Sequence, residues 1–187
     1  MKIYTCLIRA INVGGKNKIE MRKLKEVFTD LGFKNVITLG NTGVVIFKSD
    51  EKVNTENIES KLIEIFEIDL KIIILSNEKI ENLVKNRPVW WNKNKEYLHN
   101  IIFVLDNYKI EDIVKDLQPL NEEVDRIEVV DNVIFWTSIY RDGRLYSRSL
   151  YAKLAKSKGY EYTSLRNGNT FSKIYEKMES MKKMCEF

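Results

Sequence analysis

Asn12-Val13-Gly14-Gly15-Lys16 is the stretch whose residue types come nearest to a chemistry. A glycine pair and a lysine set between the apolar run Ile3 to Ile8 and a helical pattern starting at Met21 is where backbone N–H groups often hold phosphate. Arg166-Asn167-Gly168-Asn169-Thr170 repeats the same grammar, a polar loop followed by a helix. Arginine, lysine and asparagine can give an anion charge-assisted hydrogen bonds. The candidate ligand-binding residues are therefore Arg9, Asn12, Gly14, Gly15 and Lys16 from the first stretch and Arg148, Arg166, Asn167 and Asn169 from the C-terminal part.

The first stretch fails as a Walker A loop. That motif needs glycine where Ala10 stands and serine or threonine where Asn17 stands, so the cradle and the magnesium ligand are both missing. It also lacks the third spaced glycine of a dinucleotide fingerprint. A looser anion nest and a plain turn both stay open. Other catalytic chemistry has little support: the single histidine, His99, has no cysteine or acidic motif around it and reads as a packing residue. Two cysteines and one histidine do not make a zinc site, Cys6 lies mid-strand where a thiol is normally inert, and no spacing of Asp and Glu announces a magnesium site. No metal is expected, and no cofactor is indicated.

The elements that must position these residues follow from periodicity. Ile3 to Ile8 is a strand; Met21, Leu24, Val27, Phe28 and Leu31 recur at helical spacing until Gly32. Phe33 to Leu39 and Val44 to Phe47 form a hairpin around Gly40-Asn41-Thr42-Gly43, Asn54 or Thr55 caps a helix carrying Ile58, Leu62, Ile65 and Phe66, and Lys71 to Leu75 is a strand. The order βαββαβ is ferredoxin-like, with two helices on one face of an antiparallel sheet. A short helix from Asn77 to Lys85 ends at Arg87-Pro88.

The order then repeats. Leu98 to Leu105 is a strand, Ile110 to Leu117 a helix, and Val124 to Val130 and Val133 to Tyr140 a hairpin turning at Asp131-Asn132. Leu145 to Lys156 is a helix, Tyr160 to Leu165 a last strand and Thr170 to Met181 an extra C-terminal helix. The expected fold class is thus α+β, two joined ferredoxin-like halves with helices on one face of each sheet. Residues 1–87 form the first, 88–97 a connector whose Trp90 and Trp91 cover a seam, and 98–187 the second.

With 44% apolar and 31% charged residues among 187, the composition is that of a globular protein. No apolar run approaches the ~20 residues of a membrane helix, and no secretory signal precedes the first strand, so a cytoplasmic location is expected. The net charge of +4 is concentrated late, where Arg141, Arg144, Arg148, Lys153, Lys156 and Lys158 are opposed by Asp142 alone. Such a cluster raises the local concentration of anions, although a solvated helix face reads the same way. Interleaved Tyr140, Tyr146, Tyr151, Tyr160 and Tyr162 suggest a buried edge more than a nucleic-acid contact. Base stacking on the first sheet is disfavoured, since Thr42 and Val44 fall where an RNA-recognition sheet carries aromatics.

Arg9-Ala10-Ile11-Asn12-Val13-Gly14-Gly15-Lys16-Asn17 with Ile19, Met21, Leu24 and Leu31-Gly32-Phe33 resembles the opening signature of the bacterial family known as domain of unknown function 1697 (DUF1697). Asn41-Thr42-Gly43 before Val45-Ile46-Phe47 is similar to the family's Asn-Ser-Gly-Asn hairpin, and Tyr146-Ser147 with Arg166-Asn167 and Asn169-Thr170 resembles its C-terminal signature. The family's asparagine after the hairpin glycine is Val44 here, and its usual tryptophan after Arg-Asn is Gly168. The resemblance implies a cytoplasmic bacterial protein of two joined ferredoxin-like halves and implies no activity.

The expected function is non-catalytic binding of an anionic or phosphorylated small molecule. An enzyme acting on a nucleotide or other phosphorylated substrate is the alternative, and a weak nucleic-acid-binding module the second. No membrane partner is expected, and the oligomeric state is open because the sequence does not say which sheet edges are covered.

Overall fold

The structure, a computed structural model, describes residues 1–12, 17–139 and 150–183. Val13, Gly14, Gly15 and Lys16, the stretch Tyr140 to Ser149 with Arg141, Arg144, Tyr146 and Arg148, and the end with Cys185 lie outside them. The chain is a mixed α+β protein with two four-stranded antiparallel sheets and, among the described residues, six α-helices. It divides into two compact units. One is Met1–Asn82 with the chain from Ser172 onward, the other Leu83–Phe171.

In the first unit the elements are β1 (Lys2–Ile8), α1 (Met21–Asp30), β2 (Lys34–Thr38), β3 (Val44–Ser49), α2 (Thr55–Phe66) and β4 (Ile72–Ser76), followed by α3 (Asn77–Asn86). The sheet order is β2-β3-β1-β4. Strand alternation sends Cys6, Ile8, Val45, Phe47 and Ile72 to one face, where they bury Leu24, Val27 and Phe28 of α1 and Ile58 and Leu62 of α2. Asn54 is the cap that starts α2, its Oδ1 accepting the Asn57 N–H at 3.0 Å. Gly32, at φ +87, ends the turn after α1, where an L side chain would be strained.

Covering on one face alone is a correction to the sequence reading: all six residues of β3 are buried. On the opposite face Thr5 Oγ1 donates to Met178 Sδ at 3.4 Å, and Lys48, 2% exposed, donates through Nζ to the Met181 carbonyl at 2.8 Å. Both methionines belong to the C-terminal helix α6 (Gly168–Lys183), which is why the chain from Ser172 groups with residues 1–82 instead of following a contiguous division.

The second unit holds β5 (Leu98–Val104), α4 (Ile110–Asp116), β6 (Asp125–Val130), β7 (Val133–Ser138), α5 (Leu150–Leu154) and β8 (Thr163–Asn167), with sheet order β6-β7-β5-β8. Asp131 and Asn132 sit at φ 50 and 61, both left-handed, as a two-residue hairpin turn requires. Ile102, Val104, Ile134 and Trp136 pack on Ile110 and Ile113 of α4 and Leu150 and Leu154 of α5. Trp91 is buried in this unit too: its ring meets Phe135 edge-on at 5.0 Å and Phe171 at 6.0 Å, while Nε1 donates to Asn100 O at 2.8 Å.

Two further expectations are corrected here. The strand expected from Tyr160 begins only at Thr163, after a 3-10 turn over Lys158–Tyr162. Close packing imposes the turn: a Cβ on Gly159 would lie 2.2 Å from Ile113 Cδ1, and the Tyr162 ring stacks on Tyr108 at 4.4 Å. Second, Arg166-Asn167 is no loop. Both belong to β8, opposite Ile101 and Asn100, and α6 starts at once with Gly168.

Candidate functional site

The polar stretch after β1 is tied at its base from two sides. Ile8 N–H donates to Gly43 O and Arg9 N–H to Lys71 O, each at 2.8 Å. Ala10, Asn12 and Asn17 are all left-handed, at φ 58, 56 and 51, so the chain reverses sharply on both sides of residues 13–16. Asn12 N–H donates to Asn17 O at 3.1 Å, and Asn17 Nδ2 donates to Ala10 O at 3.0 Å. The Asn12 amide then grips Ile19 by both ends, Oδ1 accepting its N–H at 2.9 Å and Nδ2 donating to its carbonyl at 3.2 Å. Asn12 therefore serves first as a clamp on the loop neck, a role that asparagine fits because it tolerates left-handed backbone.

Beside this neck lies an open cavity of about 530 Å³ lined by Asn12, Lys18, Ile19, Glu20 and Asn41. Asn41 comes from the β2–β3 turn, which is pressed against the neck: a Cβ on Gly43 would stand 2.8 Å from Ile8 O and 3.1 Å from Ile11 Cγ1. The charged residues on its described lining are Lys18 and Glu20, while Lys71, whose carbonyl accepts Arg9 N–H, is paired with Glu59. The Lys71 ammonium is held above its ordinary pKa by the hydrogen bond and charge of Glu59, 3.0 Å away. Gly43→Ala is expected to cost roughly 2–3 kcal/mol, from the left-handed φ of +69 and the approach to the backbone carbonyl of Ile8, whose N–H Gly43 O accepts. A urea midpoint unchanged by the substitution would show the turn to be free of the neck.

In the second unit Arg166, Asn167 and Asn169 come together where β8 enters α6. Asn167 Oδ1 accepts the Asn169 N–H at 2.9 Å, so its side chain is used to start the helix. At Gly168 a Cβ would lie 2.8 Å from Asn92 Oδ1 and 3.2 Å from His99 Cβ, so any side chain there requires Asn92 to shift. His99 is held on both ring nitrogens: Asn92 N–H donates to Nδ1 at 3.1 Å, the Thr137 hydroxyl lies 2.7 Å from Nδ1, and Asn94 O lies 2.7 Å from Nε2. Of the nine sequence candidates, Arg9 and Asn12 lie in the first unit and Arg166, Asn167 and Asn169 in the second. Gly14, Gly15, Lys16 and Arg148 are outside the described residues.

Sequence reasoning missed a cavity of about 400 Å³ in the second unit, lined among others by Trp90, Tyr97, Asp125, Arg126 and Thr137. Asp125 is buried there, accepting Trp136 Nε1–H at 2.7 Å and Leu150 N–H at 2.8 Å. With both oxygens so engaged it is a structural anchor and not a poised base. The Arg126 guanidinium lies 4.7 Å over the Trp90 ring. The one sequence signal was the two-residue turn at Asp131-Asn132, which fixes the hairpin register and so brings Asp125 near Trp136.

Fold and site together define a class: an α+β protein of two four-stranded antiparallel units with a stitched polar loop after its first strand. Among the described residues no group of three or more His, Cys, Asp or Glu could hold a metal, and no helix is long and apolar enough to cross a membrane. The chain belongs to the family described as "Protein of unknown function (DUF1697)", whose sequence model matches residues 1–135. The structure is similar to that of the conserved bacterial protein SP0830 from Streptococcus pneumoniae, at 27% identity and a TM-score of 0.78 over 95% of this chain and 98% of that one. No curated protein matches significantly. Val44, which departs from the family hairpin, is wholly buried in β3, so an apolar side chain suits this position.

Proposed function

We propose that this is a non-catalytic binding protein for an anionic or phosphorylated small molecule, with the Asn12-to-Lys16 loop and Lys18 as its recognition element. We also read each unit as a ferredoxin-like half and the protein as a cytoplasmic bacterial one. The observation that carries the binding reading is the loop neck: left-handed Ala10, Asn12 and Asn17 and the two-ended Asn12–Ile19 clamp hold fixed the described residues beside a cavity lined by Asn12 and Lys18. Preorganisation lowers the ordering cost of binding, which a plain surface turn has no reason to do. Arg148, Arg166 and Asn167 are assigned to anion recognition on their chemistry alone.

The test is thermal unfolding against nucleotides, sugar phosphates, polyphosphate and short RNA, with and without magnesium. A ligand at ~100 times its Kd adds ~2.7 kcal/mol. Lys18→Ala is expected to leave the free protein within about 0.5 kcal/mol of wild type, as an exposed substitution does, and to remove the ligand-induced shift. Asn12→Ala is expected to cost roughly 2 kcal/mol through the lost clamp and a left-handed alanine, and to abolish the shift as well. Arg166→Ala separates the C-terminal residues from the loop. A shift insensitive to Lys18, or none across the panel, would sink the reading; magnesium-dependent turnover would replace it with an enzyme, and RNA binding that weakens linearly in log salt with a nucleic-acid module.

A further inference from the structure

We propose that β6 is a pairing edge and that its occupant is β6 of a second copy of this chain, antiparallel about Ile127. β6 is the outermost strand of its sheet. Its free side can be worked out from the ladder. Ile139 N–H donates to Val124 O at 2.7 Å, and the register then runs unbroken from Asp125 opposite Ser138 to Val130 opposite Val133. Antiparallel alternation therefore turns the N–H and C=O of Arg126, Glu128 and Val130 toward β7 and those of Ile127 and Val129 toward the open edge. Such an edge is ordinarily guarded by charged side chains, proline or a bulge; β6 has no proline, lysine or bulge, and its two exposed charges, Arg126 and Glu128, are of opposite sign. The edge strand β2 of the other sheet is guarded, with Lys34, a left-handed Asn35 and a register shift between Lys34 and Ile37.

The charge pattern selects both the occupant and the register. A two-fold pairing centred on Arg126 or on Glu128 would set like charges face to face. Centred on Ile127, it sets each Arg126 opposite a Glu128 of the other copy, twice, at the non-hydrogen-bonded positions where cross-strand side chains come closest. Trp90 already orders both side chains on that face: Arg126 stacks on its ring at 4.7 Å and its Nε1 donates to Glu128 Oε2 at 3.3 Å. On the other face Ile127 stands opposite Ile127 of the second copy, and each Val129 stands opposite Asp125 and diagonal to Ile127 of that copy. Val129, 46% exposed in a strand otherwise fitted to its unit, is covered by that pairing. The result is one eight-stranded sheet made from two four-stranded ones.

The experiment is sedimentation of the full chain across a wide concentration range. Wild type is expected to dimerise, R126E and E128R each to weaken dimerisation on the order of tenfold or more. An equimolar mixture of the two is expected to restore it, because the all-acidic edge of one meets the all-basic edge of the other. V129P removes only an outward N–H and is expected to abolish pairing with the circular dichroism spectrum unchanged. A wild type that stays monomeric throughout overturns the proposal. So does a mixture no better associated than its components, or a V129P chain that is folded and dimeric.

Discussion

Phe47→Ala is expected to destabilise the first unit by about 3–5 kcal/mol, the largest effect of any single truncation considered for it. Phe47 is wholly buried at the centre of an aromatic group, with ring centroids 4.3 Å from Phe33, 5.2 Å from Phe28 and 5.9 Å from Tyr4. Those partners come from β1, α1 and the entry to β2, so no single neighbour can move in to fill the space. Loss of the ring removes its transfer energy, leaves a cavity, and cancels aromatic contacts worth roughly 0.5–1.5 kcal/mol per pair beyond area. Urea unfolding followed by circular dichroism should show a lower midpoint at unchanged slope, whereas Phe47→Leu should recover most of the loss. A cost below about 1 kcal/mol would mean that the four rings do not pack as a unit.

Most of this architecture is written locally. The Asn54 cap, the Gly32 stop and the Asp131-Asn132 turn each act through their own few residues, so each can be read before any tertiary contact is known. Long-range satisfaction is what escapes such reading. Lys48 looks like a surface residue until the Met181 carbonyl, 133 positions away, receives its ammonium, and that contact carries the opposite face of the first sheet into the interior. Arg166-Asn167 looks like a loop because its residues are polar, but pairing with Ile101 and Asn100 makes it a strand.

The candidate site divides in the same way. The glycine-lysine stretch lies between β1 and α1 in the chain, a position that follows from periodicity alone. That Asn12 spends its amide on Ile19 could not be read, because an asparagine in a polar loop serves equally as ligand donor or as clamp. Nor could the closeness of the Asn41 turn, which depends on Gly43 meeting Ile8 and Ile11. The open side of β6 belongs here too: the charges Arg126 and Glu128 are visible in the sequence, but their meaning depends on which strand is last in the sheet.

Asp125→Ala is expected to cost roughly 2–6 kcal/mol, because it strands two buried donors at once. The Trp136 indole N–H and the Leu150 backbone N–H, both buried, have Asp125 as their acceptor. Leu150 and Leu154 pack with Ile113 and Trp136 in the core of the second unit, so one carboxylate ties α5 to the Trp136 indole. Asp125→Asn keeps one acceptor and turns an NH2 toward a donor; it should fall between wild type and alanine. All three tryptophans, Trp90, Trp91 and Trp136, lie in this unit, so their emission follows its unfolding directly. The carboxylate also lines the 400 Å³ cavity, which sets a competing outcome: water entering from that side could replace both accepted bonds and hold the cost near 1 kcal/mol. A large loss would make Asp125 an anchor that the cavity cannot hydrate, and a small one would show that cavity to be wet and open to polar ligands.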